Sequence, residues 1–228
     1  MTRHTPHAIP DGPAPGTPGS RAADDPALLA PALPPDPTEF PVPTDEECLA
    51  HWDRCAMPGH IRAHSALVGA IAGALGERAE ALGVVAPGWA RAVRASGLLH
   101  DLAKFYCVQH GGNHAQLGAA WVLDCTGNPA LAQGVMHHVW WPYPVDPARY
   151  FLPLAVQYAD KRVRHDAVVS LGARYTDLFE RYGKNETARE RIEAAFRQGR
   201  AVEHTLSELL EVKLHACPFD SGRLVVRT

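Results

Sequence analysis

No run of eighteen apolar residues occurs in the 228-residue chain, and its N-terminus lacks the apolar core of a signal peptide. The expectation is a cytoplasmic protein that does not enter a membrane. Charge of one sign is also scarce: 22 Lys and Arg against 25 Asp and Glu leave a net −3, which supplies no general pull toward nucleic acid or an anionic surface. The expected partner is therefore a small soluble molecule, with no nucleic acid and no membrane. The five cysteines, Cys48, Cys55, Cys107, Cys125 and Cys217, are odd in number and never in Cys-x-x-Cys spacing, so neither a disulfide framework nor a thiolate zinc site is indicated and reduced, mostly buried thiols are expected. No useful stretch alternates with period two. That excludes a sheet-based architecture and leaves an all-α domain.

Proline is plentiful but confined. Of the 20 prolines, twelve lie within residues 1–43, where segments such as Ala30-Pro31-Ala32-Leu33-Pro34-Pro35-Asp36-Pro37 lack backbone donors and large apolar groups. Residues 1–43 read as a disordered Pro-rich extension and residues 44–228 as the folded domain.

Helix signals then follow in order. Thr44-Asp45-Glu46-Glu47 reads as a capping box opening a helix to about Met57. Residues 60–82 place Ile61, Leu67, Val68, Ile71, Leu75 and Leu82 at helical spacing, with Ala70, Gly73 and Ala74 small enough for close packing. A third helix is expected from Pro87 to Ala103, a fourth from about His114 to Asp124, and a fifth from Asn128-Pro129 to about His138. Three prolines make a loop of residues 140–147. One long helix over 152–182 and a last one over 186–214 complete a bundle of about six to seven helices.

Thirteen histidines are many for this length. The polar exceptions on otherwise apolar helix faces are His64, His100, Asp101, His114, His137, His138 and Asp160, separated by 36, 1, 13, 23, 1 and 22 positions. His100 and Asp101 stand out, because neighbours on a helix point about 100° apart and meet at one centre only if the helix ends there. A buried carboxylate needs a cation. For Asp101 that is a metal or Lys104, one turn on.

The order H…HD…H…HH…D resembles the HD-domain metal-dependent phosphohydrolase superfamily over roughly residues 57–182. Arg62-Ala63-His64-Ser65-Ala66-Leu67-Val68 is similar to its first motif and Gly97-Leu98-Leu99-His100-Asp101-Leu102-Ala103-Lys104 to its signature. His114-Ala115-Gln116-Leu117-Gly118-Ala119 and Tyr158-Ala159-Asp160-Lys161 are similar to later motifs. The resemblance implies an HD-type helical bundle with one or two divalent transition metals (Mn, Fe, Co, Ni or Zn). His64, His100, Asp101 and Asp160 would hold the first. Asp101 would bridge to a second, held by His114 and by His137, His138 or both.

The implied activity is hydrolysis of a phosphoester or phosphoanhydride of a nucleotide, or a related small phosphorylated molecule, by metal-activated hydroxide. Asp101 and Lys104 would be the catalytic residues; Lys104 either faces a phosphate or pairs Asp101. Arg162, Arg164 and Arg174 are candidates to meet further phosphates or a base, although three arginines on a helix commonly form a solvated face. Trp140, Trp141 and Tyr143 would stack on a base, cover the site or simply pack. His138 is not followed by the Gly-Tyr-Pro of the cyclic-di-GMP branch, so that activity is not assigned; the wording is partly similar to the symmetrical dinucleoside tetraphosphatases. Two other readings stay open on the same ligands: a mixed-valence di-iron oxygenase, and a regulatory metal- or nucleotide-binding module with little turnover. Oligomeric state is not indicated.

Overall fold

The computed structural model describes residues 35–219 and residue 224. Residues 1–34, the greater part of the expected disordered extension, lie outside them. Among the described residues there are nine α-helices and one two-stranded hairpin, and no helix is long and apolar enough to cross a membrane. The chain is all-α.

α1 (Asp45–Arg54) opens with the capping box that the sequence indicates: Thr44 N–H donates to Glu47 Oε2 at 2.8 Å and Glu47 N–H to Thr44 Oγ1 at 3.2 Å. α2 (Gly59–Ala81) and α3 (Trp89–Leu99) lie along each other. Glycine makes that approach possible. A Cβ on Gly69 would stand 2.6 Å from Leu98 Cδ2, and one on Gly76 would stand 2.6 Å from Ala90 Cα. The close-packing stripe is therefore Gly69, Gly73 and Gly76, one register away from the Ala70 and Ala74 expected alongside Gly73. Trp52 of α1 donates its indole N–H to Leu98 O at 2.9 Å and so fixes the end of α3.

α4 (Lys104–His110) is a short helix with no buried residue, where a connection was expected. α5 (His114–Thr126) and α6 (Pro129–His137) begin at Asn113 and Asn128, whose side chains cap the first free N–H groups. α7 (Phe151–Lys161) is buried along its whole length, against α2, α3 and α6. It is the axis of the domain.

The long helix expected over 152–182 is not one helix. α7 ends at Lys161; β1 (Val163–Arg164) pairs antiparallel with β2 (Ala167–Val168), Val163 opposite Val168; and α8 (Leu171–Tyr182) follows. His165 in the hairpin turn takes φ +57°, a left-handed conformation that a continuous helix forbids. β-branched Val163, Val168 and Val169 favour the extended backbone, and Ser170 Oγ accepts from Ala173 N–H at 3.2 Å to restart the helix. α9 (Glu186–Leu209) stops five residues earlier than expected, at a turn where Glu211 has φ +53°.

Of the residues that the sequence assigns to the extension, those described, 35–43, adjoin the bundle. A 3₁₀ turn over Pro37–Glu39 packs on the bundle, with Pro37 buried. Asn128, fully buried, donates through Nδ2 to Pro37 O at 2.9 Å and Pro41 O at 3.2 Å. Proline has no N–H, but its carbonyl is a full acceptor, and these two satisfy a donor that would otherwise be stranded. Starting the chain at Thr44 instead of Pro35 is expected to cost about 1–3 kcal/mol, the penalty of an unpaired buried amide. Thermal melting of the two truncations checks this; equal melting temperatures would refute it.

Candidate metal centre

The helix carrying the histidine and aspartate ends where the pair requires it to. α3 stops at Leu99, and the chain turns tightly through 100–103, with Leu102 N–H donating to Leu99 O at 3.1 Å and Lys104 N–H to Asp101 O at 3.0 Å. Both side chains face inward, His100 fully buried and Asp101 at 1 % exposure. Four other elements converge on them: α2 brings His64, the first residue of α5 is His114, the residue capping the end of α6 is His138, and α7 brings Asp160.

The converging atoms form two groups that share one carboxylate. His64 Nε2 lies 3.0 Å from Asp160 Oδ1 and 3.9 Å from Asp101 Oδ2; His100 Nε2 lies 3.3 Å from Asp101 Oδ2 and 3.7 Å from Asp160 Oδ1. On the other side, His114 Nε2 and His138 Nε2 are 3.2 Å apart, and are 3.4 and 3.6 Å from Asp101 Oδ1. Metal–ligand bonds of about 2.0–2.2 Å place neighbouring ligand atoms about 3–3.6 Å from one another, so both groups have the size of a coordination shell. Within them, His64, His100 and Asp160, and His100, Asp101 and His138, are buried groups that could hold a metal ion.

The protonation pattern points the same way. His100 Nδ1 lies 2.7 Å from Gly97 O, and His138 Nδ1 lies 2.7 Å from Val135 O. A carbonyl only accepts, so each Nδ1 carries the proton and each Nε2 turns a bare lone pair toward the cluster. Among the described residues, His100 Nε2 and Asp101 Oδ1 are buried without a hydrogen-bond partner. Acceptors left in this way are costly unless a cation meets them, and the donor set of imidazole and carboxylate suits a transition metal.

Two lysines flank the carboxylates. Lys104 Nζ is 2.6 Å from Asp101 Oδ2, and Lys161 Nζ is 2.5 Å from Asp160 Oδ2 and 3.3 Å from His138 O. Lys161 is buried and was not singled out from the sequence. Its signal was available: a lysine next to a candidate ligand, inside an apolar helix. By occupying Oδ2 it leaves Asp160 Oδ1 to face the histidines.

A cavity of about 680 Å³ opens over the cluster. Its cationic lining is Lys104, Lys161, Arg174, Arg181 and Arg191, against the carboxylates of Asp101, Asp160 and Asp166; Ile61, Leu178 and Ile192 add apolar surface.

Some expected residues are elsewhere. His137 turns away and packs its ring on Trp141 and Tyr143 at 5.1 and 5.9 Å, so of the histidine pair only His138 enters the cluster. Trp141 is buried and packs on Tyr150, which makes it a core residue. Arg162 is buried with its guanidinium tied to the backbone carbonyls of Val169, Leu214 and Cys217, and it does not line the cavity. Arg164, on β1, does not line the cavity; Arg174 does.

Burial sets how the metal-free centre titrates. It pushes the His114 imidazole down to about 4, with His138 beside it adding to the fall, and it lowers His137 and His138 as well. The folded chain then binds fewer protons than the unfolded chain below the ordinary histidine value of 6.5. Burial by itself would raise Asp101 and Asp160. His100, His138 and Lys104 around the first, and Lys161, His64 and His100 around the second, instead hold both well below 3.8. The histidine contribution is thus present above pH 6.5 and lost as pH falls toward 4; that of the carboxylates is present above 3.8 and lost on further acidification. The melting temperature of EDTA-treated protein is expected to fall steadily from pH 6.5 to 4. A melting temperature that rises over that interval would contradict this assignment.

Compared with protein-family models, curated proteins and solved structures, the chain matches none.

Proposed function

We propose that the chain is an HD-type metal-dependent phosphohydrolase acting on a nucleotide or a related small phosphorylated molecule. The observation that carries this reading is the division of Asp101: its two oxygens face two separate groups of imidazole and carboxylate ligands, at the floor of a cavity walled by cations. The proposed occupants are two divalent ions from among Mn, Fe, Co, Ni and Zn, one held by His64, His100, Asp101 and Asp160, the other by His114, His138 and Asp101. Such ions acidify water and neutralise phosphoryl charge.

The protein's own groups supply the rest. Asp101 and Asp160 bring two negative charges that fix cations in a site otherwise built from neutral imidazoles. Lys161 orients Asp160. Lys104 lines the cavity with its ammonium beside Asp101, where it can donate to a phosphoryl or leaving oxygen. Burial works against that ammonium, but Asp101 and then Asp160 raise its pKa above 10.5, so it stays charged at neutral pH. The apolar lining from Ile61, Leu178 and Ile192 suits the base of a nucleotide.

Elemental analysis of the protein as purified, followed by a phosphate-release screen over nucleotides and dinucleoside polyphosphates with Mn or Co, tests the proposal. Release at about 1 per second or faster, within the ordinary enzyme range, supports it. Bound iron with O₂ consumption and no phosphate release from any nucleotide would replace it with an oxygenase, and metal or nucleotide binding without turnover with a regulatory module.

A further inference from the structure

The cavity wall contributed by α8 and α9 carries three arginines that the proposed reaction does not use. Arg174 is the most telling. Its side chain is 14 % exposed, and among the described residues its Nε is buried without a hydrogen-bond partner and its one ion pair, Nη1 to Asp177 Oδ2, is long at 3.4 Å. Asp177 is also shared with Arg181, 3.6 Å away. A guanidinium taken out of water with a donor unmet and half of one carboxylate for company is under-compensated. Arg181 and Arg191 line the same cavity further toward solvent, Arg191 exposed. Planar, forked donors in this number match an anion with several oxygens.

A phosphoryl group at the Asp101 centre is provided for by Lys104 and Lys161, and Arg174, on another wall of the same cavity, is a further cation left under-compensated. We infer that Arg174, assisted by Arg181 and Arg191, forms a subsite for a second phosphate, so that the favoured substrates carry two or more linked phosphates rather than one. This rests on the reading of the cavity as a phosphohydrolase site and adds the substrate class. Arg174 here is a specificity-determining residue, since it would touch the part of the substrate that is not cleaved.

Binding of non-hydrolysable probes tests the subsite without turnover. Methylphosphonate and methylenediphosphonate, each supplied as its Mn complex, are titrated calorimetrically into the Mn-loaded full chain. The wild-type protein is expected to prefer the diphosphonate by about ten- to hundredfold, the usual worth of added hydrogen bonds to a charged group. Arg174→Gln is expected to remove most of that preference, and Arg174→Lys, which keeps charge but not the fork, to restore part of it. Arg191→Gln, at an exposed position that folding does not depend on, is expected to reduce it about threefold by weakening one screened contact.

A ratio unchanged by both Gln substitutions, or an equal loss for both probes, overturns the subsite. If nucleotides are hydrolysed while the ratio stays unchanged, the subsite alone fails. If the ratio collapses in Arg174→Gln but no nucleotide is cleaved, the subsite stands and hydrolysis fails.

Discussion

If the proposed function holds, Asp101→Ala is expected to remove bound metal and phosphate release together, lowering kcat/KM by at least about a thousandfold, since several kcal/mol of charge stabilisation would depend on the ions it is proposed to hold. The size of the effect follows from sharing. Each oxygen of Asp101 belongs to a different ligand group, Oδ2 with His100 and Oδ1 with His114 and His138. One substitution therefore takes a ligand and negative charge from both. The second group is left with two neutral imidazoles, too few to hold a divalent ion against water. Asp101→Asn separates charge from shape: it keeps the volume but presents one carbonyl oxygen and one amide, so it is expected to lose metal almost as fully. Elemental analysis beside the phosphate-release assay decides the matter. Full metal retention in Asp101→Ala would show that Asp101 is a structural partner of Lys104 and not a ligand.

Arg162→Met is the substitution with the largest expected effect on stability, about 3–5 kcal/mol, as when one member of a buried charged network is removed. Arg162 is 3 % exposed, and its guanidinium closes the C-terminal segment onto α7. Nε donates to Val169 O at 2.7 Å, Nη1 to Leu214 O at 2.8 Å and to the Tyr158 hydroxyl at 2.5 Å, and Nη2 to Cys217 O at 2.8 Å. Tyr158 passes the interaction on by donating to Glu203 Oε2 at 3.2 Å. The guanidinium also lies over the Phe219 ring, 4.8 Å from its centroid. Methionine fills much of the volume and meets none of these acceptors, which stay buried. For a domain of this size the loss corresponds to a melting temperature lower by about 10 °C. Circular dichroism melting measures it, and a change under 2 °C would mean that water replaces the arginine without cost.

The same arginine shows where sequence reasoning stops. Arg162, Arg164 and Arg174 are alike as letters following Asp160, and on one long helix their roles could not be told apart. The hairpin between α7 and α8 separates them: Arg162 closes the core, Arg164 lies on a two-residue strand, and Arg174 reaches the cavity from a new helix. No glycine or proline announces that break. It depends on a left-handed His165 and on carbonyls that arrive from residues 214 and 217, contacts made only after the chain has folded back.

Local chemistry was legible in the chain itself. The Thr44–Glu47 capping box, the Asn128-Pro129 helix start and the all-α class follow from spacing and caps, and the cost of burying polar groups singles out the histidines and aspartates; that His64, His100, Asp101, His114 and Asp160 share one site was what the resemblance of their order to a known family implied. Tertiary structure decided what spacing leaves degenerate. Of two adjacent histidines, His138 enters the centre because its Nδ1 is held by Val135 O at the end of α6, while His137 stacks in the core. Lys161 became part of the site because Asp160 needs its second oxygen satisfied. Residues 35–43 became part of the domain because a buried asparagine needs their carbonyls. For residues 35–43 the deciding partner lies far along the chain, and a hydrogen bond between distant segments leaves no periodic trace in the sequence; His138 and Lys161 have near neighbours as partners, but which of two adjacent side chains faces the cluster is set by the elements that converge on it.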